Sequence, residues 1–123
     1  MIPTHAFYGG SSMEINTTQY RHCDVLSLKG RIDSSTAPQF EQAIKAATDQ
    51  ARYKIVLDMN GLEFMSSAGL RVLVNAQKIC KRYNRGEVVL AEVPPNIKSA
   101  LDLSGFTSLF KVFADKLAAV GNF

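Results

Sequence analysis

The chain has no tryptophan, two cysteines, two histidines and four prolines among its 123 residues. Each scarcity closes a class of explanation. Cys23 and Cys80 do not form a C-x-x-C pair, and His5 and His22 fall at no ligand spacing, so neither a disulfide framework nor a metal site is expected. Both cysteines lie within apolar patterns and read as buried free thiols of a reducing cytosol. No apolar run approaches the ~18 residues of a membrane span. The opening "MIPTHAFYGGSS" has no basic segment ahead of an apolar one and does not read as a secretory signal. Charge is also sparse: 14 Lys and Arg against 11 Asp and Glu give a net charge of +3. Without a basic run interleaved with aromatics, that excess does not make a nucleic-acid footprint, and no direct nucleic-acid partner is expected.

What is present is a pattern of short apolar segments sized for one domain. Residues 1–12 read as a flexible leader, Met13 offers a second start, and residues 13–123 read as the domain. "MEINTTQYRH" and "CDVLSLKGRI" read as a strand pair, with Leu26, Leu28 and Gly30 on one face. In "DSSTAPQFEQAIKAATDQ", Thr36 and Gln39 have capping-box spacing, and Pro38 is tolerated in a first turn. Phe40, Ala43, Ile44 and Ala47 make one helical face. Ile55, Val56 and Leu57 are consecutive, as in a strand buried on both sides.

A helix is predicted from Ser67 to about Tyr83, with Gly69, Leu73, Ala76, Cys80 and Tyr83 inward and Arg71, Asn75, Lys78 and Arg82 outward. "NRG" stops it, with Gly86 in the left-handed conformation. "EVVLAEV" is a strand and "PPNIKSALDLSG" a short helix. "SLFKVFA" is a last strand and "DKLAAV" a last helix capped by Asp115. Strands alternating with helices imply right-handed crossovers. The expected fold is a single α/β domain: a four- to five-stranded, mostly parallel sheet with an antiparallel edge, flanked by about four helices.

The segment "VLDMNGLEFMSSAGLRVLV" sets Ser66, Ser67, Ala68 and Gly69 where the buried strand turns into this helix. The first amides of a helix lack partners within it, and the helix dipole adds partial positive charge there. Ser66 or Ser67 can cap them, contributing about 1 kcal/mol. An exposed hydroxyl at the same place suits phosphorylation, because the phosphate meets donors and a favourable field. A serine nucleophile fits poorly. The G-x-S-x-G elbow is missing, since Glu63, Phe64 and Met65 precede the serines, and neither histidine is tied to this turn. No phosphate-cradling G-x-x-x-x-G-K-[ST] occurs. Enzymatic activity and a cofactor are therefore not expected.

"GRIDSSTAPQFEQAI" followed by "IVLDMNGLEFMSSAGLRVLV" resembles the STAS domain of bacterial anti-sigma factor antagonists, over roughly Met13 to Val120. The resemblance implies a cytoplasmic partner-switching regulator, a monomer or weak dimer with no membrane partner. Its partners would be an anti-sigma factor that is also a serine kinase, and a PPM-type serine phosphatase. The unmodified antagonist would sequester the kinase and free the sigma factor; phosphorylation by ATP would release it, and the phosphatase would reset it. Aligned on glycine–leucine, the family's phosphoacceptor falls on Ser67. Gly69 and Leu70 match the glycine and apolar residue that follow, Asp33 the aspartate of the strand-to-helix turn near the acceptor, and Asp58 the aspartate closing the central strand. Ser34, Ser66, Ala68 and Arg71 complete the expected partner-facing set. Many members carry aspartate before the acceptor and serine or threonine after it, where this chain has Ser66 and Ala68. Within the same fold, the alternatives are a stressosome-like scaffold or the STAS partner of a lipid-transport ATPase. A small-ligand or nucleotide sensor without a phosphorylation switch is a further alternative.

Overall fold

The computed structural model describes residues 4–7, 13–83 and 86–123. Among them, six strands form one sheet in sequence order: β1 (Thr4–Phe7), β2 (Met13–Gln19), β3 (Asp24–Ile32), β4 (Lys54–Met65), β5 (Glu87–Ala91) and β6 (Val112–Phe113). β1 to β3 pair antiparallel, and β3 to β6 pair parallel. The sheet has one strand more than expected because residues 4–7, read from sequence as part of a leader, pair with Thr17 to Glu14 of β2. The rest of that leader, residues 1–3 and 8–12, lies outside the described residues.

Three helices, α1 (Ala37–Thr48), α2 (Ser67–Lys81) and α3 (Pro95–Ser104), contribute to the larger core on one face. The short α4 (Lys116–Gly121) covers the other. The alternation along β4 shows why both faces fill. Ile55, Leu57 and Met59 point into the core of α1 and α2, while Val56 joins Val25, Val89 and Ala119 under α4. Phe40, Ile44, Leu73, Ala76 and Cys80 meet the first face, as the helical spacing predicts. Both cysteines are buried and free, and burial pushes the Cys80 thiol up to about 11.

Local details depart from expectation where tertiary partners outcompete local ones. The Thr36–Gln39 capping box does not form. Thr36 instead donates its hydroxyl to the Arg31 carbonyl at 2.9 Å and accepts from the Asp33 amide at 2.9 Å. Among the described residues the glycines at positive φ are Gly30 and Gly105, and Gly86 is not one of them. Gly86 answers a close approach: a Cβ there would stand 2.2 Å from the Cys80 carbonyl oxygen and 2.5 Å from Tyr53 Cβ. Asn84 and Arg85, the other residues of that predicted stop, lie outside the described residues. Tyr83, expected on the buried face of α2, lies beyond its end and stacks on Tyr53 with ring centroids 4.8 Å apart. The last strand shrinks to Val112–Phe113, preceded by a 3₁₀ turn at Thr107–Leu109.

Gln77 explains how so short a final strand suffices. The Val88 amide donates to its Oε1 at 2.7 Å, and its Nε2 donates to the Val88 carbonyl at 3.1 Å and the Leu109 carbonyl at 2.7 Å. The buried amide side chain therefore continues the β5 ladder where β6 does not reach, and leaves no backbone group of Val88 unpaired.

Candidate functional site

Parallel strands end together, so the turns that follow them meet at one edge of the sheet. Here the β3–α1 and β4–α2 turns are joined directly: the Ser66 amide donates to the Ile32 carbonyl at 2.8 Å. That bond sets Ser66 beside the residue preceding Asp33, and it brings Asp33, Ser34, Ser66 and Ser67 to one end of the domain. Anchoring continues on the far side, where Asn96 of α3 donates its amide to the Glu63 carbonyl at 2.7 Å.

The two serines divide the work. Ser66 is the N-cap of α2, in extended conformation, and its Oγ accepts from the Gly69 amide at 3.4 Å. Ser67 is the first helical residue and is exposed. Its hydroxyl is not spent on capping. The amides of Ser67 and Ala68 have no carbonyl four residues back within the helix. The structure thus settles the choice that the sequence left open, which serine caps.

Asp33 is half-buried and organises its own turn. Its Oδ1 accepts from the Ser35 amide at 2.9 Å, the Ser35 hydroxyl at 2.6 Å and the Thr36 amide at 3.2 Å. The Ser35 hydroxyl, then the backbone amides, hold the carboxyl below its ordinary value. The sign follows: a lowered carboxyl favours the folded turn above the ordinary carboxylate value, and that preference fades as pH falls through the folded one. At neutral pH the turn therefore carries a full negative charge beside the serines. Ser34 is exposed next to it.

Gly69 lies inward, as its helical spacing predicts, and neither it nor Leu70 faces outward as the resemblance implied. Both are buried. A Cβ on Gly69 would stand 2.8 Å from Ile32 Cγ2 and 2.8 Å from Met65 Cγ. The slimness of the first turn lets the domain's own strand ends pack against the helix, so these two residues shape the surface from beneath. Ala68 is half-buried against the core. Arg71 is exposed and lines a groove of about 380 Å³ between α2 and the end of α3, together with Ser67, Lys78 and Phe106.

Asp58 does not belong to this cluster. It lies inside β4, well before the last residue Met65, because the strand runs on through "NGLEFM" with its register to β3 shifted twice. Flanked by inward Leu57 and Met59, it points to the opposite face, where it accepts from the Ser27 hydroxyl at 3.1 Å and the Asn60 amide at 3.1 Å. Its work is to tie β3 to β4 at the irregularity. His22 is also remote, in the β2–β3 turn at the other end of the strands.

Against known proteins, the STAS domain profile matches residues 14–119. The chain belongs to the STAS domain family. BtrV of Bordetella bronchiseptica, which carries an anti-sigma factor antagonist name, is 35% identical over 99 residues, 80% of this chain and 84% of that protein. An anti-sigma factor antagonist from Mycobacterium paratuberculosis superposes with a TM-score of 0.82 at 24% identity, covering 94% of this chain and 97% of that one. SpoIIAA in its unphosphorylated form superposes with a TM-score of 0.76 at 21% identity, covering 88% and 94%. These two likenesses establish that the STAS fold is shared over nearly its whole length. Among the described residues of this STAS domain, no helix is long and apolar enough to cross a membrane.

Proposed function

We propose that this STAS domain is an anti-sigma factor antagonist switched by phosphorylation of Ser67. Unmodified, it binds an anti-sigma factor serine kinase in the cytoplasm and displaces the sigma factor. Phosphorylated by that kinase with ATP, it is released, and a PPM-type phosphatase restores it. In this reading the domain is a regulator and the chemistry belongs to its partners. The antagonist names of relatives such as BtrV support the partner class. One observation carries the site: Ser66 does the capping, so the neighbouring Ser67 hydroxyl stays exposed and can be modified without loss of the helix start.

The switch needs no refolding. Phosphorylation adds about −1.5 to −2 charges at a contact surface that already holds Asp33. A tenfold loss of affinity requires about 1.4 kcal/mol, and one buried unpaired charge costs about 3–5 kcal/mol. The test is to isolate the kinase on immobilised Ser67→Ala protein, then measure its affinity for wild type, Ser67→Ala and Ser67→Asp, and map the site modified with ATP. Modification at Ser67, retained binding by Ser67→Ala and at least tenfold weaker binding by Ser67→Asp are expected. Equal affinity of all three, or modification elsewhere, overturns the reading.

A further inference from the structure

We infer that the phosphate on Ser67 is received in cis by Arg71, inside the groove between α2 and α3. This rests on Ser67 being the residue modified and concerns what the domain does with the phosphate. The two residues are four apart on α2, so they are neighbours on one face, with Cβ atoms about 5–6 Å apart. Helical side chains lean towards the N-terminus, which carries the Arg71 guanidinium back over the turn that holds Ser67. An anion one turn ahead of a cation is also the favoured order on a helix.

The groove makes the pairing specific. Ser67 and Arg71 line it together, with Leu70 and Val74 below, Phe106 and Ser104 opposite and Lys78 at the far end. Arg71 makes no ion pair among the described residues, whereas the cations of α1 and α3 are engaged: Lys45 with Asp49 at 2.8 Å and Lys98 with Asp102 at 3.7 Å. The segment Ser67–Lys81 contains no acidic residue at all, so nothing on α2 competes for the guanidinium. The carboxylates on flanking elements are Asp33 in the adjoining turn, Glu63 near the end of β4 and Asp102 on α3; Asp102 is paired with Lys98, and Asp33 and Glu63 would repel a phosphate rather than hold it. Arginine suits the role because its planar fork can meet two phosphate oxygens at once. The cation is thereby consumed when the phosphate arrives, so an acidic partner group that faces Arg71 beforehand loses it in the same event.

The experiment uses full-length protein with phosphoserine incorporated at position 67 during translation, which removes any dependence on a kinase. Phosphorus NMR follows the second ionisation of the phosphate, ordinarily near ~6, in wild type, Arg71→Gln and Arg71→Lys. In wild type it is expected to lie about half a unit below that of Arg71→Gln, with Arg71→Lys between them. The gap should narrow at about 1 M salt, where charges are screened beyond ~3 Å. Arg71 is exposed, so these variants fold. Identical titration of wild type and Arg71→Gln overturns the inference. A kinase that ignores Ser67 would overturn the proposed switch instead and leave this titration readable.

Discussion

The two ends of the parallel strands solve opposite problems. At the starting end of β3 and β4, a charge is sealed in. Asp24 is fully buried, and Arg52 Nε reaches its Oδ1 at 2.5 Å while the same guanidinium donates to the Tyr20 and Cys23 carbonyls. Asp24 Oδ2 has no hydrogen-bond partner. At the finishing end, roughly 30 Å away by the length of β3, the Asp33 carboxylate, the Thr36 hydroxyl and the Ser66 amide are held by bonds within and between the turns, Gln39 Oε1 is buried without a partner, and a hydroxyl stands in solvent. The contrast teaches where a protein can accept a new charge. The sealed end depends on a single cation for a buried anion, and its polar chemistry cannot be altered cheaply. The open end has its turns held by backbone bonds and by Ser66 and Thr36, so Ser67 can change its charge while the frame stays put.

The largest effect should come from breaking the sealed end. Arg52→Ala leaves Asp24 buried and unpaired, a change that costs about 3–5 kcal/mol. Urea unfolding should show the midpoint falling accordingly. A double variant, Arg52→Ala with Asp24→Asn, should recover part of the loss, since the charge itself is then gone. If Arg52→Ala unfolds like wild type, the two ends do not differ in the way described.

Gly69→Ala tests the open end from below. The added methyl meets Ile32 and Met65 at 2.8 Å, and overpacking of this kind costs about 1–3 kcal/mol. Because the strain falls under the first turn of α2, the variant should also be phosphorylated more slowly at Ser67. Ser66→Ala comes next: it removes the cap and should cost about 1 kcal/mol, read as a shift in the same unfolding midpoint. Ser66→Asp should restore most of that, because aspartate caps as well as serine does. Failure of aspartate to rescue would mean that the 3.4 Å bond to Gly69 contributes little.

The sequence carried the fold well because apolar periodicity is local: the Ile55–Leu57 run, the Phe40–Ile44–Ala47 face and the Gly105 and Asp115 helix ends all follow from spacing within a few residues. What it missed depends on partners far along the chain. Residues 4–7 have no apolar alternation, and they become a strand because β2 presents an open edge. β4 continues past Asp58 because β3 offers register shifts that absorb the extra residues, so an aspartate expected at a strand end lies in mid-strand on the other face. Asp24 and Arg52 are 28 positions apart, and no spacing rule links them. No spacing rule singles out Gln77 within its helix, and only the shortness of β6 gives it a task. At the site, the pattern pointed to the serine pair and the resemblance to Asp33, but spacing alone left open which serine caps, and Ser66 takes that place where its amide also bonds Ile32 of a turn remote in sequence.

The smallest effect is the one on which the comparison depends most. Ser67 is exposed and its hydroxyl caps nothing, so Ser67→Ala and Ser67→Asp should each change unfolding free energy by no more than about 0.5 kcal/mol. The aspartate falls on the favourable side, since a negative charge in the first helical turn is stabilised by about 0.3–1 kcal/mol at low ionic strength, partly offset by repulsion from Asp33. Salt should therefore reduce whatever difference separates the two variants. Set beside a binding difference of at least tenfold for the kinase, this near-silence in stability separates a switch made of surface charge from one made of altered structure. A loss of 2 kcal/mol or more on Ser67→Asp would place the switch in the fold itself, and the open end would then be no freer than the sealed one.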